Sequence, residues 1–100
     1  MNGSWTIRLS KRATREFRSL DEDVQDAAQG LMEELECDGP AVDGAIPIEA
    51  YENTWRARFY ADRFRMVYQA SPTRKTIVVI RIGPRGTVYT GMKAGPGKKN

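Results

Sequence analysis

An α+β fold is predicted for this 100-residue chain, in the order β-α-α-β-β-β-β, with a small, mainly antiparallel sheet and both helices on one of its faces. Three observations carry that expectation. Apolar residues recur at helical spacing only between residues 11 and 37, period-two alternation takes over after residue 54, and the late strands are joined by short turns that force antiparallel neighbours.

The first strand is "SWTIRLS", where Trp5, Ile7 and Leu9 alternate with Thr6 and Arg8. Ser10 offers an N-cap to a helix whose Ala13, Phe17 and Leu20 share one stripe. "SLDED" ends that helix and starts another. Asp21 is placed to cap it, Glu22 and Asp23 suit the positive end of its dipole, and Val24, Ala27 or Ala28, Leu31 and Leu35 form its buried stripe to about Cys37. "CDGPAVDGAIP" holds two Asp-Gly pairs and two prolines and reads as loop.

In "TWRARFY", Trp55, Ala57 and Phe59 face one side and Arg56, Arg58 and Tyr60 the other. "RFRMVYQ" sets Phe64, Met66 and Tyr68 against Arg65, Val67 and Gln69, which puts Tyr68 in the core. Ser71 and Pro72 suit the first two positions of a type I turn. "TIVVIRI" is apolar on both faces until Arg81, as a central strand should be. "GPRG" predicts a tight turn with Pro84 second and Gly86 fourth that displays Arg85, and "TVY" begins the last strand. One domain over residues 1–92 is expected, with residues 93–100 a flexible basic tail.

Composition narrows the function. Residues 1–50 hold 5 Lys/Arg against 11 Asp/Glu, a balance of −6, while residues 51–100 hold 11 against 2, a balance of +9. A concentrated cationic face either meets a polyanion or is simply solvated, and charge alone leaves both open. With no histidine, the imidazole acid–base pair of many ribonucleases and the Ser-His-Asp and Cys-His arrangements are excluded. A single cysteine, Cys37, excludes an intrachain disulfide and leaves too few soft ligands for zinc. Glu33, Glu34 and Glu36 point in different directions on a helix and do not assemble a metal site. "GPRG" is not a phosphate-binding Walker loop, so no cofactor is implied. The longest aliphatic run, Ile77–Ile80, is far too short for a membrane span, and the start of the chain lacks an apolar signal region. A cytoplasmic protein is expected.

Arg56, Arg58, Arg65, Arg81, Arg85 and Tyr89 remain. Arg56 and Arg58 share a face, Arg65 lies on the neighbouring strand, and Arg85 and Tyr89 bracket the last turn, so together they frame a phosphate-sized concavity. Taken singly, each has a simpler account as a solubilising edge arginine or a half-buried sheet aromatic.

The block "WRARFYADRFRMVYQ…TIVVIRIGPRGTVY", with an opening that ends in "SLDEDV", resembles the RelE/ParE superfamily of bacterial toxins, and within it the RelE-like mRNA interferases of type II toxin–antitoxin systems. The resemblance spans roughly residues 4–91 and is specific in the second half. It implies a small sheet backed by two helices and a ribosome-dependent endoribonuclease that cleaves mRNA in the A site and so inhibits translation. The implied partners are a cognate antitoxin, the ribosome and mRNA. The family's basic pair falls on Arg56 and Arg58, its strand arginine on Arg65, its post-turn arginine on Arg85 and its late tyrosine on Tyr89. Arg81 joins Arg56 and Arg58 as a substrate-binding candidate. Two departures stand out: the pair, often lysine in RelE, is arginine here, and the stretch from Arg85 to Tyr89 is shorter.

The reaction so implied is attack of an RNA 2′-hydroxyl on its adjacent phosphorus, with loss of the 5′-oxygen and formation of a 2′,3′-cyclic phosphate. Tyr89 is the base; a tyrosine ionises near pH ~10, and clustered arginines favour its phenolate. Arg65 stabilises charge on the phosphoryl oxygens and Arg85 acts mainly electrostatically, since a guanidinium rarely gives up its proton. A ParE-like DNA gyrase inhibitor, acting by protein binding, and a plain RNA-binding module are the alternatives. The first would not need Tyr89 and Arg65 together, and the second would show more aromatics among the arginines than Tyr60 and Tyr89.

Overall fold

A computed structural model describes residues 4–86 of the chain. Within them β1 (Thr6–Leu9) leads into α1 (Lys11–Arg18) and α2 (Glu22–Asp38), followed by β2 (Ile46–Pro47), β3 (Thr54–Phe59), β4 (Phe64–Ser71) and β5 (Thr76–Pro84). The strands form one sheet in the order β1-β5-β4-β3-β2. All neighbours are antiparallel except β1, which runs parallel to β5 with Thr6 opposite Thr76. The expected α+β architecture is therefore present. The strand expected at "TVY" and the tail at 93–100 lie outside the described residues.

Local chemistry explains most boundaries. Ser10 Oγ accepts the Ala13 N–H at 3.0 Å and so caps α1. Asp21 occupies the N-cap position of α2 but makes no side-chain cap; Asp23 instead accepts the Val24 N–H at 2.9 Å. α2 ends at Gly39, whose φ of +87° suits glycine, and a Cβ there would stand 3.0 Å from Trp5 Nε1. Ser71 accepts the Arg74 N–H at 3.2 Å, closing the turn expected from Ser71 and Pro72.

The core lies between the helices and one sheet face. Val24, Ala28, Leu31 and Leu35 of α2 meet Ala57 and Phe59 of β3, Met66 and Tyr68 of β4, and Ile77, Val79 and Ile82 of β5. Tyr68 is fully buried, as expected, and its hydroxyl donates to Pro40 O at 2.6 Å.

Two sequence expectations are corrected. The loop before β3 contains a short edge strand, because Ile46 and Pro47 pair with Arg56 and Trp55; a proline is tolerated at such an edge. The "GPRG" turn begins later than expected, since Gly83 and Pro84 still pair with Arg65 and Phe64 and only Arg85 and Gly86 turn. Arg85 N–H donates to Arg63 O at 2.9 Å. Ladder bonds alternate, so position 84 would aim its nitrogen away from β4, where proline loses nothing.

Among the described residues that outer edge of β5 has no strand partner beyond the stretch paired with β1, and α1 covers it. Ser10 N–H donates to Val79 O at 2.9 Å, and Ser10 Oγ approaches Ile80 O at 3.4 Å. Glu16 Oε1 accepts the Ile82 N–H at 2.7 Å. A single carboxylate thus replaces a strand partner. The register also slips at this level: Val67 faces Arg81 but Tyr68 faces Val79, leaving Ile80 as the extra residue of a bulge. The slip returns Ile82 to the core and moves Arg81 off it.

Candidate functional site

Strand pleating sends Trp55, Ala57 and Phe59 toward the helices and Arg56 and Arg58 to the opposite face, as the alternation predicts. Register then fixes their neighbours. Arg56 stands opposite Val67, and Arg58 stands directly opposite Arg65. Like charges across a strand pair repel, so this placement needs an anion nearby.

Asp62 supplies it from the turn joining β3 to β4. Arg65 Nη1 lies 2.9 Å from Asp62 Oδ1, Arg58 Nε 3.9 Å from the same oxygen, and Arg85 Nη1 4.0 Å from Oδ2. The three contacts differ in kind. Arg65 also donates to the carbonyl oxygens of Asp62 at 3.0 Å and Phe64 at 3.3 Å, and its side chain is only 13% exposed. The side chains of Arg58 and Arg85 are 57% and 67% exposed and touch the carboxylate only loosely. Arg56 joins Arg58 and Arg65 in the wall of a cavity completed by Gly44 and Ile46. Arg58, Arg65 and Arg85 are therefore brought together around a single carboxylate, and Arg56 lies beside Arg58 and Arg65 in the wall of the adjoining cavity.

The turn itself is unusual. Tyr60, Ala61 and Asp62 have φ of 55°, 55° and 69°, a run of left-handed residues that only Asp tolerates readily. It is tied down at both ends: Arg63 N–H donates to Tyr60 O at 3.0 Å, and the Tyr60 hydroxyl donates to the Asp23 carboxylate at the start of α2. The bond to that carboxylate, and its charge, raise the Tyr60 pKa. Tyr60 also meets Phe64 edge-on, with ring centres 5.9 Å apart. It is engaged within the fold, where the sequence suggested an exposed stacking ring.

Arg81 is not brought to this cluster. Although it stands opposite Val67 in register, it is 7% exposed and its Nε lies 3.1 Å from Glu16 Oε2. It belongs to the joint between α1 and β5. Tyr89 lies outside the described residues. Among the described residues no group of His, Cys, Asp and Glu is placed to hold a metal ion, and no helix is long and apolar enough to cross a membrane.

Sequence reasoning missed Asp62 and Glu16. A signal existed for each: Asp62 is one of only two acids after residue 50, and Glu16 stands among Lys11, Arg12, Arg15 and Arg18. A larger groove lined by Arg8, Glu52, Gln69 and Arg74 occupies the far end of the open face. It contains none of the converging arginines. The cluster around Asp62 is better built for an anion, with several guanidinium groups directed at one point and one of them held rigidly.

Neither a family model nor a curated protein sequence matches this chain. Solved structures do. The isolated RelE toxin of E. coli superposes with a TM-score of 0.71 at 20% identity, over 86% of this chain and 92% of that one. RelE in the archaeal RelE-RelB complex from Pyrococcus horikoshii gives 0.69 at 17% identity, over 84% and 98%. The toxin-antitoxin complex RelBE2 from Mycobacterium tuberculosis gives 0.61 at 20%, over 82% and 99%. The chain has the RelE-like fold.

Proposed function

We propose that this chain is the toxin of a type II toxin–antitoxin system and that it cleaves mRNA on the ribosome as a metal-independent endoribonuclease, so arresting translation in the cytoplasm. The observation that carries this reading is the convergence of Arg58, Arg65 and Arg85 on one anion position. The likeness in fold to RelE toxins, several of them in complex with RelB, supports it and supports a cognate antitoxin as partner.

In this reading Arg65, anchored by two carbonyl oxygens, is the fixed clamp on the scissile phosphate. Arg56 and Arg58 hold flanking phosphates, and Arg85 adds charge where the leaving oxygen develops it. The 2′-oxygen bonds to phosphorus, the bond from phosphorus to the 5′-oxygen breaks, and the departing 5′-oxygen takes a proton from solvent water, which leaves a 2′,3′-cyclic phosphate and a 5′-hydroxyl. Tyr89 takes the 2′-hydroxyl proton. Such weak acids and bases leave in-line geometry as the main source of rate, which the ribosome would provide by presenting the message.

Inducing this protein alone and mapping message 3′ ends tests the reading. Cuts that require ribosomes, with gyrase supercoiling unaffected and growth restored by the cognate antitoxin, are expected. Intact messages with inhibited gyrase would overturn it in favour of a ParE-like target.

A further inference from the structure

We propose that Asp62 is an internal stand-in for the substrate phosphodiester: in the free protein it occupies the anion position among Arg58, Arg65 and Arg85, and a phosphate of single-stranded RNA takes its place when the site engages. This deepens the proposed function and rests on its reading of the arginine face.

The chemistry of the two anions is alike. A carboxylate and a phosphodiester each carry one negative charge shared by two oxygens, and guanidinium groups recognise both. Asp62 uses both of its oxygens in this way, Oδ1 toward Arg65 and Arg58 and Oδ2 toward Arg85. The side chain is 47% exposed, so the position is open to solvent and to a ligand.

The arrangement also permits exchange. Arg65 keeps its bonds to the Asp62 and Phe64 carbonyls when the carboxylate leaves, so the clamp stays formed. Arg58 and Arg85, at 3.9 and 4.0 Å, lie beyond hydrogen-bond length and lose little. Asp62 belongs to the turn and not to a ladder, so its side chain can swing away without breaking strand pairing. In the free state it offsets the repulsion between the facing Arg58 and Arg65. Its cost falls on binding, because an incoming phosphate must compete with it.

The test uses the full chain and a single-stranded oligoribonucleotide with methylated 2′-hydroxyls, which cannot be cleaved, with binding read by fluorescence anisotropy at fixed salt. Asp62→Asn removes the charge and keeps a residue that accepts φ of 69°. Glu33→Gln makes the same change in net charge on α2, and Arg58→Ala reports on the arginine site itself. Asp62→Asn should tighten the dissociation constant about tenfold, the low end of one charged hydrogen bond. Glu33→Gln should change it less than about twofold, as expected of an exposed charge away from the site. Asp62→Glu, which keeps the charge, should stay near the parent.

If Arg58→Ala weakens binding but Asp62→Asn leaves it unchanged or weaker, the phosphate site stands and the role given to Asp62 falls. Equal tightening by Asp62→Asn and Glu33→Gln would reduce the effect to net charge and overturn the proposal as well. If neither Arg58→Ala nor Asp62→Asn alters binding, the reading of the arginine face fails and takes the proposal with it.

Discussion

Replacing Glu16 by Ala should destabilise the fold far more than a partly exposed helix carboxylate normally would. Glu16 Oε1 accepts the Ile82 N–H at 2.7 Å and Oε2 meets Arg81 Nε at 3.1 Å, where the Arg81 side chain is only 8% exposed. Truncation leaves the Ile82 N–H, on the edge of β5 that α1 covers, without its acceptor, a loss of about 1–3 kcal/mol. It also removes one carboxylate partner from a buried guanidinium, where hydrogen bonds to charged groups contribute about 1.5–3 kcal/mol. Glu16 is itself 22% exposed and water can enter the gap, so the two losses do not add in full. A total of about 2–4 kcal/mol is expected. Arg12 also pairs with Glu16, at 3.4 Å and with 51% of its side chain exposed, and serves as the control. Arg12→Ala should cost at most about 1 kcal/mol. Urea unfolding followed by circular dichroism measures all of this, because a slope of about 2 kcal/mol per molar, the middle of the usual range for small proteins, converts the Glu16 loss into a midpoint shift on the order of 1–2 M. A Glu16→Ala protein that unfolds at the Arg12→Ala midpoint would show that α1 does not close the sheet edge through this carboxylate.

Gly39→Ala should lower stability by about 1–3 kcal/mol, since its φ of +87° and the nearby Trp5 indole both oppose a Cβ; a thermal melt reads the loss. Burial raises the Tyr68 pKa above its ordinary value, so the folded state keeps that proton when the unfolded chain has lost it. Stability from this group is complete below pH ~10, the unfolded value, and falls as pH rises beyond it. Tyr68→Phe should flatten that alkaline decline in a pH series of denaturation midpoints. Under the proposed function, Tyr89→Phe should cut single-turnover cleavage on programmed ribosomes by ~10²–10⁴-fold with binding unchanged, whereas Arg58→Ala should weaken binding and its salt dependence. Parent-rate cleavage by Tyr89→Phe would remove that tyrosine from the chemistry.

The elements most legible in the sequence are those set by local periodicity. Val24, Ala28, Leu31 and Leu35 are the buried residues of α2, and the alternation in β3 puts Arg56 and Arg58 away from the helices because a strand has no other way to bury Trp55, Ala57 and Phe59. What escaped was set by distant partners. Ile46 and Pro47 count as a strand only because Arg56 and Trp55 pair with them. Arg81 reads as one more surface arginine until the extra residue at Ile80 and a glutamate 65 positions earlier draw it into the α1 joint. The convergence on Asp62 depends on a left-handed turn in which Tyr60 and Ala61 are poor local choices, and no propensity announces it.

The parallel pairing of β1 with β5 bears on how the sheet forms. Thr6 meets Thr76, whereas Phe59 meets Phe64 across a turn of a few residues. Chain closure over a long separation costs more entropy and slows formation, so the β3–β4 hairpin can form early while β1 must wait for β5. On this hypothesis the basic hairpin, with Arg58, Arg65 and Asp62 already in one short segment, exists before the outer strand is in place. Core substitutions in β1, such as Ile7→Val, should then speed unfolding and leave the folding rate nearly unchanged, while a slowed folding rate would place β1 in the nucleus.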